Sequence, residues 1–213
     1  MDTIKSKYHE TLAATVIKNL EKRQMEGYYC PTVEDAEKLA FSFLKDGQTV
    51  SFGGSMTLEE TGMLTALRHD PSIHLIDRST AKTPDETKKM YHDALSSDVY
   101  FMSTNAITTG GELVNIDGTG NRVAALIYGP ETVVILAGMN KIAANVDEAL
   151  SRVHNVATAQ NCIRLDKKTP CAITGACADC LSPDCICNQV VITRRSGIKG
   201  RIQVLLIGES FGY

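Results

Sequence analysis

The chain has 213 residues, 43% of them hydrophobic and 22% charged, with a formal net charge of −3. Such a composition belongs to a globular protein able to bury a core as one large domain or two small ones. It excludes a global basic field that would attract nucleic acid or an anionic membrane. The first residues are charged from Asp2 onward without a signal-type apolar stretch, and runs such as VVILAG near residue 135 are too short to span a bilayer. A cytoplasmic protein with reduced thiols is therefore expected.

In chain order, Ile4, Tyr8, Leu12, Val16 and Leu20 recur every fourth residue and predict an N-terminal helix within residues 1–30. The YYCP turn ending at Pro31 breaks it. A second helix fits residues 32–44, with Val33, Ala36, Leu39, Ala40 and Phe43 inward. QTVSFGG reads as a buried strand, and Thr57 with Glu60 forms a capping-box pattern that starts a helix at about Thr57. SIHLID is the next strand. Thr83, Pro84 and Glu86 supply N-cap, first-turn proline and box partner for a helix through Ala94. DVYFMST and GELVNID follow as strands, then a short helix in GTGNRVAALIYG, the strand ETVVILAG and the helix NKIAANVDEALSRV, with Asn140 as its cap. A cysteine-rich segment over residues 167–188 precedes QVVITR and RIQVLLIG, which read as a closing antiparallel hairpin.

Strand–helix alternation predicts one α/β domain with a mainly parallel sheet and helices on both faces. Its strands should lie near residues 48–52, 73–76, 98–102, 112–116 and 132–137. Ligands of such sheets bind at the carboxyl ends of strands. Two loops there carry suitable chemistry. In residues 51–57, Gly53 and Gly54 let backbone approach a ligand, and the next helix offers free N–H groups beside the Ser55 and Thr57 hydroxyls. In residues 103–122, four glycines and several threonines surround Glu112, the only carboxylate between Asp98 and Asp117. The expectation is one pocket for a small anionic ligand, lined by Gly53, Gly54, Ser55, Thr57, Thr108, Thr109, Gly110 and Gly111, with Glu112 as base or nucleophile. A solvated turn glutamate is the simpler explanation of Glu112.

The stretch from Ser103 to Gly138, with SFGGSMTLEETGML and VVITRRSGIKGRIQVLLIGESFGY, resembles the LUD domain, the family of lactate-utilisation proteins, over about residues 15–213. The resemblance implies a fold like that of ribose-phosphate isomerase, glucosamine-phosphate deaminase and the CoA transferases. It also implies an accessory or redox-linked role in cytoplasmic lactate-to-pyruvate oxidation, beside iron–sulfur and nucleotide-binding partner proteins. The rival is a stand-alone enzyme acting on a phosphorylated or CoA-linked small acid through Glu112, which resembles the CoA-transferase glutamate in setting.

Five of the seven cysteines, Cys171, Cys177, Cys180, Cys185 and Cys187, fall in seventeen residues spaced C-x5-C-x2-C-x4-C-x-C. Three readings compete: small buried hydrophobes, a redox pair at Cys177 and Cys180, or convergence on one metal centre, an iron–sulfur cluster or zinc.

Overall fold

The computed structural model describes residues 3–213. Its elements are α1 (Thr3–Lys22), β1 (Glu26–Cys30), α2 (Val33–Phe41), β2 (Thr49–Phe52), α3 (Met56–Glu60), α4 (Met63–His69), β3 (His74–Ile76), α5 (Pro84–Ala94), β4 (Val99–Met102), β5 (Ala106–Thr108), β6 (Leu113–Asp117), α6 (Asn121–Ile127), β7 (Thr132–Gly138), β8 (Ile142–Ala143), α7 (Val146–Arg152), α8 (Ala159–Arg164), α9 (Pro170–Thr174), β9 (Gln189–Thr193) and β10 (Ile202–Ile207). A π-wound stretch, Val153–Thr158, joins α7 to α8.

Six strands form a parallel sheet in the order β1-β10-β7-β4-β2-β3. Alternation along its inner strands sorts side chains to two faces. Tyr100, Met102, Val133, Ile135, Val204 and Leu206 pack with Ala13, Val16 and Leu20 of α1 and Leu126 of α6. Val99, Phe101, Val134, Leu136, Leu205 and Ile207 pack with Ala36 and Ala40 of α2 and Leu58, Leu64 and Leu67 of α3 and α4. The α/β architecture with helices on both faces is thus as expected. Covering both faces explains why these strands read as continuous apolar runs.

Several local expectations are corrected. α1 ends at Lys22, and the YYCP region is an edge strand, β1, rather than a turn. GELVNID leaves the main sheet: β6 pairs antiparallel with β5 and β9 in a second sheet of order β8-β5-β6-β9. The closing pair is not a hairpin, because β9 lies in that second sheet and β10 inside the first. Ser55, not Thr57, caps α3 by accepting from the Leu58 N–H. Asn145, not Asn140, caps α7 through the Glu148 N–H. The cap at Thr83 is as read, accepting from the Glu86 N–H. Among the described residues no helix is long and apolar enough to cross a membrane.

Candidate functional site

The carboxyl ends of the parallel strands open on one side into a cleft of about 460 Å³. Residues 54–57 line it after β2, Arg78 after β3, residues 103–105 after β4, Lys141 after β7 and Tyr213 beyond β10. The second sheet contributes residues 116–119, the π-wound stretch contributes Ala157 and Thr158, and the cysteine segment closes one wall with Cys185 and Ile186. Among the described residues the lining holds five cations, Arg78, Arg122, Lys141, Arg164 and Lys167, against one side-chain carboxylate, Asp117. In a chain of net charge −3 this is a local reversal of sign.

Lys141 is the most confined of these groups, only 3% exposed. Its Nζ donates to Thr57 Oγ1 at 2.9 Å and to Ser103 Oγ at 3.0 Å. Burial, with Arg152 and Arg122 nearby, pulls its pKa from 10.5 down to about 7, and Glu60 opposes this only partly. Those arginines are themselves committed. Arg152 donates to the Asn140 and Asn105 carbonyls. Arg122 donates to Ser103 O, Asn115 Oδ1, Asn105 Oδ1 and Ile116 O, tying the end of β4 to β6. Burial also lowers the Arg122 pKa.

The two glycines after β2 turn out to make room for arginines. A Cβ at Gly53 would stand 3.0 Å from the Arg122 stem, and one at Gly54 only 2.3 Å from Arg78 Nη2. Arg78 lies over the Tyr91 ring at 5.6 Å and donates to its hydroxyl at 3.2 Å. Its remaining guanidinium donors border the cleft. Residues 211–213 cross the near wall: Thr57 donates to Phe211 O, Phe211 N to Asn140 Oδ1 and Gly212 N to Glu60 Oε2.

The pocket anticipated from the sequence is divided. Gly54, Ser55 and Thr57 line the cleft and Gly53 lies beneath it, whereas residues 108–112 do not line it. Thr108, Thr109, Gly110, Gly111 and Glu112 pack instead on the end of α1. Asn19 donates to Thr109 O and Arg23 to Gly110 O. The Glu112 carboxylate is ion-paired with Arg23 and accepts from the Thr108 hydroxyl. Gly111, at φ +88°, would drive a Cβ to 2.8 Å from the Asn19 carbonyl carbon. The sequence reading passed over Arg78, Ser103 and Lys141 as individuals. Their one signal is position, each within three residues of the end of an apolar strand.

Nor do the five cysteines of the segment form one donor set. Cys171 is buried beside Cys162 and Ala159, and the Thr169 hydroxyl lies 3.2 Å from Cys171 Sγ. The Cys187 N–H donates to Cys185 Sγ at 3.3 Å. Cys177 Sγ sits 3.7 Å from His154 Nδ1, and Cys180 is partly exposed. Among the described residues no three His, Cys, Asp or Glu side chains are grouped to hold a metal ion. The iron–sulfur cluster or zinc that the spacing suggested thus finds no support in this grouping. All seven cysteines are free thiols.

The LUD domain family model matches residues 13–207. No curated protein matches the sequence. Among solved structures, a DUF162 family protein from Deinococcus radiodurans is similar over 93% of this chain and 98% of its own, with a TM-score of 0.52 and 10% identity, a likeness of fold. The tetrameric eIF2B beta2-delta2 complex from C. thermophilum matches over 54% of this chain and 43% of its own, with TM-score 0.37 and 18% identity. eIF2B delta from Chaetomium thermophilum matches over 52% and 48%, with TM-score 0.34 and 20% identity.

Proposed function

The chain belongs to the LUD domain family, and from that premise we propose that it is a lactate-utilisation protein whose cleft takes a small carboxylate as part of cytoplasmic lactate-to-pyruvate oxidation. The observation that carries this reading is the cleft's charge: five cations face one side-chain carboxylate at the carboxyl ends of a parallel sheet. Arg78 is the group suited to receive the ligand's carboxylate, because its guanidinium makes one side-chain hydrogen bond and no ion pair among the described residues. Arg122 and Arg152, spent on main-chain carbonyls, shape the floor and supply field. The rival route through Glu112 has no support in this geometry, since Arg23 and Thr108 occupy that carboxylate away from the cleft.

Titration calorimetry with L-lactate and pyruvate tests the reading. Binding should be measurable for at least one of them and weaken about 10-fold or more in Arg78→Gln, the loss of one charge-assisted hydrogen bond. Deleting the gene should impair growth on lactate as sole carbon source. Absence of binding for both acids, together with normal growth on lactate, refutes it.

A further inference from the structure

The two hydroxyls that hold Lys141 are both committed as donors elsewhere. Ser103 Oγ donates to Thr104 O at 3.3 Å and Thr57 Oγ1 to Phe211 O at 3.3 Å. Toward the lysine they can only accept. A neutral amine has two N–H donors and one lone pair. With both donors spent on Thr57 and Ser103, the lone pair meets no hydroxyl proton. Neither hydroxyl is therefore arranged to pass a proton to the amine and become a nucleophile itself. Lys141 also makes no ion pair among the described residues, although it borders the cleft. Gly212 keeps the space beside it, since a Cβ there would come to 2.5 Å from Thr57 Oγ1 and 3.4 Å from Nζ. An amine this buried, at the wall of a cleft and without a carboxylate partner among the described residues, costs stability that its two hydrogen bonds to hydroxyls only partly return.

We propose that Lys141 is a nucleophile that condenses with the carbonyl carbon of a small 2-oxo acid, forming an imine in the cleft. The Nζ lone pair forms the new C–N bond while the carbonyl π bond breaks. The oxygen gathers two protons, which the nitrogen gives up, and leaves as water, so amine and ketone become imine and water with no change of oxidation state. Arg78 holds the carboxylate and Ser103 and Thr57 steady the nitrogen. The pull of burial and of Arg122 and Arg152 on the Lys141 proton, set against Glu60, supplies the free amine near neutrality. This inference rests on the small-carboxylate reading of the cleft and adds a covalent step to it.

The full chain is incubated with pyruvate and sodium cyanoborohydride, which reduces imines in place, and the adduct is located by peptide mass spectrometry. The same sample without reductant is examined by equilibrium dialysis. The expected result is one adduct, on Lys141, formed at a rate that rises through pH 7, slowed by L-lactate, and lost in Lys141→Arg. The position is read in the wild-type chain, so the result does not depend on any variant folding. Pyruvate retained on dialysis with no adduct, or an adduct spread evenly over surface lysines, overturns the imine and leaves the anion cleft standing. Neither retention nor adduct overturns the imine, and the small-carboxylate reading falls with it when L-lactate also fails to bind and growth on lactate is normal.

Discussion

Replacing Lys141 by methionine should make the protein more stable, and by an amount that depends on pH. An unfolded lysine keeps its proton up to 10.5, whereas the folded one releases it near pH 7. Between those values the unfolded chain binds more protons, so wild-type stability rises with pH. The penalty is fully present below about 7 and fades toward 10.5. At 1.36 kcal/mol per pH unit it amounts to ~5 kcal/mol at pH 6, ~4 at pH 7 and ~2 at pH 9. The hydrogen bonds to Thr57 and Ser103 return about 1 kcal/mol each, and methionine fills nearly the same volume. Urea unfolding of wild type and Lys141→Met at pH 6, 7, 8 and 9 isolates this one group, because every other titration cancels in the difference. The variant's advantage should be a few kcal/mol at pH 6 and should shrink to about zero by pH 9. A difference that is flat across this range, or a wild type that is more stable at pH 6, refutes the assignment of Lys141 as a destabilised cation.

Three further outcomes follow from the geometry. Gly54→Ala should push the Arg78 guanidinium out of its place, since the new methyl would lie 2.3 Å from Nη2; calorimetry should then show carboxylate binding weakened ~10–100-fold while the thermal midpoint hardly moves. Glu112→Gln removes the partner of Arg23 and should cost ~1–3 kcal/mol in urea unfolding without altering binding in the cleft; a large loss of binding would return Glu112 to the site. Iodoacetamide mapping at pH 8 should find Cys187 and Cys30 among the last cysteines alkylated, because burial, only partial at Cys187, pushes their thiols up to about 12 and about 11; early labelling of Cys187 would contradict the raised thiol beside Cys185.

Alternating apolar runs and capping residues made most helices and the buried strands legible. Thr83 with Pro84 is the clearest case, its cap in place as read. What misled was partner choice. VVITR and IQVLLI stand close in sequence with a glycine-containing link, the signature of a hairpin, but local pattern carries no information on which sheet each strand joins. The burial of β10 differs from the half-exposed β9, and that difference tracks an interior parallel strand against an edge. Glu112 was singled out because a lone carboxylate in a glycine-rich bend looks available; Arg23, 89 positions away, takes it. Lys141 escaped notice for the converse reason, since its chemistry comes from burial that only the assembled strand ends create.

The place of β10 between β1 and β7 sets an order on synthesis. β1 hydrogen-bonds only to β10 within its sheet, so a segment made among the first 30 residues waits for residues 202–207 before it has a neighbour. A ribosome-bound chain can pair β2, β3, β4 and β7 early, but it carries an open edge at β7 and an unseated β1 until residues 202–207 have emerged. Two unpaired parallel edges about 100 residues apart, joined only by a strand some 170 residues after the first, make a slow last step and an interval in which chaperones or a second nascent chain could occupy the gap.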